Sequence, residues 1–292
     1  MSAAGGVSDR NTQTDAGWQY DLMNEASSAV RAPTAGMPIA TERRARPFFA
    51  SLGRCVGLAF GIGTQILFLY TVVYLFLFLR YGSDHRFAGW WFVDVLLATG
   101  FVIPHSVLLV PSIQKRLKTT MPGGLLGCLH CVTTCVALLM LFRFWGGSEI
   151  VIWRASGWAE TILLGLFYGS WIALFYSLYL TGLGYQTGLT QWWYWAIQRK
   201  PPVRPFVTKG VFRWMRHPVY MSFLGLIWFT PVMTLDHVIL TAIWTVYIYA
   251  GSYFKDRRLI YFIGRDYVEY GKRVSGLPFI AFGSLHRFPK HM

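Results

Sequence analysis

The sequence predicts an all-α polytopic membrane protein with about six transmembrane helices and a short cytoplasmic C-terminal helix. Three observations predict it. Residues 55–79 run for 25 positions without a charged side chain, more than the roughly 20 needed to cross the hydrocarbon core. Hydrophobic residues make up 54% of the chain and the mean hydropathy is +0.40, values that do not suit a soluble domain. The basic residues also alternate by loop. Of the 27 Lys and Arg, 23 precede the first span or fall in the second loop, the fourth loop and the tail, leaving Arg80, Arg86, Arg143 and Arg154 on the other side. This is the positive-inside pattern for six spans with both termini cytoplasmic. It accounts for the net charge of +14 without a nucleic-acid partner.

Residues 1–45, rich in Ser, Ala, Gly, Thr and Arg with little apolar periodicity, read as a mobile cytoplasmic tail. Residues 46–182 carry transmembrane helices one to four, at about 55–79, 89–110, 124–144 and 158–182. Residues 183–292 hold an interfacial loop, a helical hairpin and a C-terminal region. The loop contains Trp192, Trp193, Tyr194 and Trp195, aromatic residues suited to the headgroup layer or to a lid over a cavity. The hairpin is predicted as two short spans, about 218–233 and 237–254, turning across Met233–Asp236. Beyond it the charged run Lys255–Arg258 leaves the membrane, and Gly264 is predicted to break the helix before Asp266, Tyr267 and Tyr270. That last piece reads as a short helix folded back under the bundle.

The stretch most suited to chemistry is KGVFRWMRHPVY, Lys209 to Tyr220. Pro218 fits the first turn of a helix, where its missing N–H is not needed. Arg213, Arg216 and His217 then stand at a helix N-terminus, whose dipole and free N–H groups favour an anionic ligand. A hairpin brings its two ends together, so Arg216, His217 and Tyr220 are expected to share a pocket with Asp256 and Arg257 and to grip a zwitterion. His105, beside Ser106 and after Pro104, lies deep in an apolar span. A polar side chain there is either functional or bonded to a neighbouring helix. Asp94 reads as a structural partner. Cys128, Leu129, His130, Cys131 and Cys135 invite a metal reading, but positions 128, 131 and 135 share one helix face, and small buried cysteines more often let helices approach. No metal is expected.

RHPVY, a hydrophobic hairpin, a polar cluster at its exit and then GRDYVEYGKRV together resemble the C-terminal half of the isoprenylcysteine carboxyl methyltransferase-like membrane methyltransferases, which also include phospholipid methyltransferases. Pro104-His105-Ser106, the pattern at Gly188, Leu189 and Gln191, and TPVMT at 230–234 bring the chain nearest to the thiol-methylating branch. The strong part covers about residues 205–280. The resemblance implies S-adenosyl-L-methionine bound by Arg216, His217, Tyr220, Asp256, Arg257 and Tyr267; His217 and, from its depth in the second span, His105 are the candidate catalytic groups. The implied reaction converts methanethiol to dimethyl sulfide, the small thiol entering from the lipid bilayer. An isoprenylcysteine or lipid acceptor, a nicotinamide-dependent reductase and a nurim-like protein that keeps the scaffold without catalysis remain alternatives. The chain departs from the pattern at Lys255 and Asp256, where the group has paired glutamates, at Ser222 in place of a glycine, and at Leu183 and Tyr185.

Overall fold

A computed structural model of the chain describes residues 47–202, 206–278 and 285–289, with side chains from residue 52 onward. The tail at 1–45 lies outside the described residues. Four helices are long and apolar enough to cross a membrane: α1 (Pro47–Tyr81), α2 (Trp90–Val107), α4 (Leu126–Phe144) and α5 (Trp158–Thr181). They match the first four predicted spans to within a few residues, except that α1 begins earlier. A short α3 (Pro111–Leu117) and a 3-10 turn (Gly123–Leu125) link α2 to α4. Two more short helices, α6 (Leu183–Gln186) and α7 (Leu189–Ala196), precede a second 3-10 turn (Gly210–Arg213). The chain closes with α8 (Pro218–Trp228), α9 (Leu235–Ile263) and α10 (Arg265–Arg273).

Where the predicted hairpin lies, the observed elements differ in length. α8 stops at Trp228, and with 11 residues it rises only about 16 Å. The next residues are extended, because β2 (Val232–Thr234) pairs antiparallel with β1 (Val151–Arg154), a two-stranded ribbon that the apolar periodicity did not reveal. Backbone bonds close the joint, from Ala155 N to Pro231 O at 2.8 Å and from Leu235 N to Ile150 O at 2.9 Å. These bonds and the ribbon satisfy part of the backbone that leaves the helix. α9 has 29 residues, about 43 Å of helix. Its charged run, Lys255 to Arg258, lies in the last third of the helix.

α8 packs on α5 and α9, and α2 packs between α4 and α9. The core where these helices meet includes Leu79, Ala98, Leu141, Phe167, Leu226 and Leu240. The outward faces carry exposed Ile62, Ile66, Leu69, Ile103, Ile162 and Ile172, which suits lipid contact. Asp94 is buried, and its partner is a backbone amide in the loop after α4, Gly146 N donating to Oδ1 at 2.7 Å.

The cysteines act as small packing residues. Cys128, Cys131 and Cys135 are buried and free, and Cys128 Sγ lies 3.7 Å from Gly188 O. A Cβ on Gly127 would stand 2.6 Å from Gly188 Cα, and Gly188 itself has φ +79°, so glycine alone permits this approach. Among the described residues no group of three or more His, Cys, Asp or Glu converges on a metal position. Trp192 and Trp195 of α7 insert against Gly57 and Gly61 of α1, where any side chain would collide with their rings. Trp192 is buried and donates to Gly57 O at 3.0 Å. Trp195 lines a groove of about 880 Å³ together with Arg54, Phe60, Met121, Leu125 and Arg199.

Candidate functional site

The start of α8, the charged end of α9 and α10 meet at one corner. α8 opens at Pro218, with His217 as the residue before it and no side chain capping its first turn. Gly264, at φ +72°, ends α9 and starts α10. The reversal lays Tyr267 and Tyr270 under the loop that leads into α8. Tyr270 donates to Phe212 O at 2.6 Å. The backbone N–H groups of Arg216 and His217 donate to Ser275 O and Gly276 O at 2.9 and 3.1 Å. The C-terminal region is thus bonded to the loop as well as packed on it.

Asp256 is the hub. Arg216 donates through Nη2 to Oδ2 at 2.9 Å, and Tyr267 donates to Oδ1 at 2.5 Å. His217 Nε2 stands 3.1 Å from the same Oδ1, at ion-pair distance but too poorly aligned for a hydrogen bond. Arg216 also donates to Gly271 O, Val274 O and His286 O at 3.2, 2.7 and 3.1 Å. Its guanidinium lies 4.2 Å from the centroid of the Phe288 ring. The whole arrangement is closed to solvent, with His217 0% and Arg216 3% exposed.

Burial pushes the His217 pKa down to about 4, with Asp256 only partly opposing it. The imidazole is therefore neutral at neutral pH, and Arg216 carries the charge that balances Asp256. Burial alone would raise the Asp256 carboxyl, but its contacts with His217, Arg216 and Tyr267 outweigh that and hold it below the usual range. The Tyr267 phenol is driven up by burial and by the charge of Asp256. It stays protonated and serves as a donor.

The predicted site residues therefore divide. Arg216, His217, Asp256 and Tyr267 are brought together. Tyr220 joins through its ring, stacked on His217 with centroids 5.3 Å apart. Arg257 does not join: it is exposed and faces Tyr253, 3.5 Å from the hydroxyl. His105 lies in a different cluster, its Nδ1 3.2 Å from Thr134 Oγ1 and its ring 4.9 Å from that of His130. Sequence reasoning missed the carbonyls of Gly271, Val274 and His286, which carry no side-chain signature. It also passed over Tyr247, whose hydroxyl meets Ser106 Oγ at 3.2 Å, and Arg258. The spacing of Tyr247, Gly251 and Arg258 on one face of α9 was the signal available for these.

Fold and site together define a class, a bundle of apolar helices with a buried Arg–His–Asp–Tyr corner where its terminal hairpin ends. Comparison with characterised proteins narrows that class. The chain is similar to the methanethiol S-methyltransferase of Pseudomonas sp. (strain GM41(2012)), 26% identical over 250 residues that cover 80% of this chain and 94% of that protein. The methanethiol S-methyltransferase 1 of Bradyrhizobium diazoefficiens is 27% identical over 237 residues, 76% of this chain and 81% of that protein. Nurim of Rattus norvegicus is 27% identical over 164 residues, 53% of this chain and 62% of that protein. No protein-family profile matches the chain, and no solved structure matches it.

Proposed function

We propose that this chain is a six-span membrane methyltransferase that moves a methyl group from S-adenosyl-L-methionine to a small thiol, converting methanethiol to dimethyl sulfide. The Arg216 corner and both termini face the cytoplasm in this reading. The observation that carries it is the buried corner at the start of α8. His217 Nδ1 is buried there with no hydrogen-bond partner among the described residues, beside a helix start with no side-chain cap. A buried polar atom without a partner costs energy that a bound ligand would recover. Gly251 keeps the neighbouring wall open, since a Cβ there would meet only the Tyr220 hydroxyl, at 3.8 Å. These residues fit the cofactor. His217, Tyr220 and the first-turn N–H groups of α8 are the groups to hold it, and Asp256 acts by positioning His217.

When bound, the cofactor supplies a methyl group already activated by a sulfonium. The protein's part is then to align the acceptor in line, exclude water and manage the thiol proton. His105, whose Nδ1 stands 3.2 Å from Thr134 Oγ1, is the group to receive that proton. The names of the similar thiol methyltransferases support the choice of acceptor.

A second reading, a nurim-like protein without catalysis, is favoured by the engagement of Asp256 with three protein partners. Membranes containing the expressed chain, supplied with methyl-labelled cofactor and methanethiol, separate the readings. Label in volatile dimethyl sulfide is expected. Label only in extracted lipid would move the acceptor to a lipid or isoprenylcysteine, and neither cofactor binding nor transfer would leave the non-catalytic reading.

A further inference from the structure

A second polar cluster lies among α2, α4 and α9, away from the Arg216 corner. Phe101 stacks on the His105 ring at 5.4 Å and meets Tyr247 edge-on at 6.2 Å. His130, on α4, has its backbone carbonyl taken by Thr134 at 2.8 Å, while its side-chain Nδ1 is buried with no hydrogen-bond partner among the described residues. The two imidazoles thus face each other in an aromatic wall.

On α9 the cluster continues toward the charged end. Tyr247, Gly251 and Arg258 are separated by four and seven residues and share one helix face. Gly251, in the middle, leaves open space apart from the Tyr220 hydroxyl. Arg258 is half-buried and has no hydrogen bond or ion pair with any described residue. Through Tyr247 this face meets the imidazole pair, the ring centroids of Tyr247 and His105 lying 6.2 Å apart. The nearby acid, Asp256, is engaged by Arg216, and Lys255 Nζ sits 4.7 Å from the centroid of the Tyr220 ring. A half-buried guanidinium that no described acid pairs, on the same face of α9 as Tyr247, is a place where an anion would be stabilised.

We propose that Arg258, with Tyr247 and the His105–His130 pair, forms the subsite that holds the acceptor's sulfur as a thiolate. The proposal rests on the thiol-methylating reading and deepens it. A nearby cation favours the thiolate over the thiol, and an aromatic wall suits a small, polarisable sulfur. The open space at Gly251 joins this subsite to Tyr220 and so to the ring of His217.

Arg258→Gln and Arg258→Lys, purified in detergent, test it through two readouts. In turnover, Arg258→Gln is expected to raise the KM for methanethiol by about tenfold or more, the scale of one lost hydrogen bond to a charged group. Cofactor affinity should stay within about twofold, as for a residue outside that site, and Arg258→Lys should recover part of the loss. Without cofactor, sodium methanethiolate should raise the melting temperature of the wild type relative to sodium chloride at equal ionic strength. Arg258→Gln should abolish that rise. An unchanged KM, a rise that persists in Arg258→Gln, or an equal loss of cofactor affinity would each overturn the subsite while leaving methyl transfer standing. An Arg258-dependent rise in a protein that forms no dimethyl sulfide would keep the subsite and remove the methyl-transfer reading. Absence of both the rise and the product removes both.

Discussion

α9 carries a buried aspartate near each end, and the two are used differently. Asp236 accepts from Trp145 Nε1 at 3.2 Å and from Ser148 N at 3.0 Å. Both donors are neutral, and both belong to the segment that connects α4 to β1. Asp256 is met by a guanidinium, an imidazole and a phenol from two separate stretches of chain. The first aspartate fixes a loop. The second ties the C-terminal region to the start of α8 and leaves His217 with an unpartnered nitrogen. A buried carboxylate satisfied only by neutral donors reads as architecture, whereas one balanced by a buried cation beside an unsatisfied imidazole marks a place built to accept something more.

The sharpest way to break this contrast is to remove the cation. Arg216→Met leaves the Asp256 carboxylate buried without its counter-charge, and should cost about 3–5 kcal/mol of stability. Adding Asp256→Asn to Arg216→Met should restore most of it, because no charge is then left alone. Denaturation in detergent checks this. A double variant no more stable than the single would mean that the carbonyl bonds of Arg216, and not its charge pairing, hold the corner.

A somewhat smaller effect is expected from pH. His217 titrates near 4 when folded and near 6.5 when unfolded, so the unfolded chain takes up the proton first as pH falls. Its contribution is complete above pH 6.5 and is lost on the way down to pH 4, a change of up to about 3 kcal/mol. Asp256, held below the usual carboxylate range, keeps its contribution through that window and loses it only in stronger acid. Melting temperatures of the wild type and His217→Gln between pH 7 and 4 should therefore converge. Parallel profiles would show that His217 is not the buried neutral group described.

The smallest effect belongs to the other aspartate. Asp236→Asn keeps the shape and loses the charge, and should cost about 1.5–3 kcal/mol, the scale of a hydrogen bond to a charged group. Cofactor affinity should not change, since the site lies at the far end of α9. A loss of affinity would show that the two ends of the helix are coupled.

Much of the fold was legible because its driving force is local in sequence. The first four spans show as uncharged runs, Pro218 and Gly264 mark where α8 and α10 begin, and RHPVY points to the corner. The ribbon between β1 and β2 was not legible. Its residues are exposed at Val151–Arg154, follow no strict alternation and find their partner about 80 positions away. The early end of α8 follows from that pairing. Arg257 and Arg258 are equally charged in the sequence, and only the phase of α9 leaves one exposed and the other half-buried on the face of Tyr247.

The sequence by itself determined that this chain forms apolar helices and that Arg216, His217 and Asp256 sit at the ends of one hairpin, because hydropathy and helix-end chemistry act over a few residues at a time. Only the tertiary structure decided what those residues do with one another. Arg216 turns inward to Asp256 and three carbonyls, Tyr267 closes over the same carboxylate, and Arg258 is left half-buried with no described partner. Pairing among buried charges depends on distances between segments far apart in the chain, and a one-dimensional pattern does not carry them.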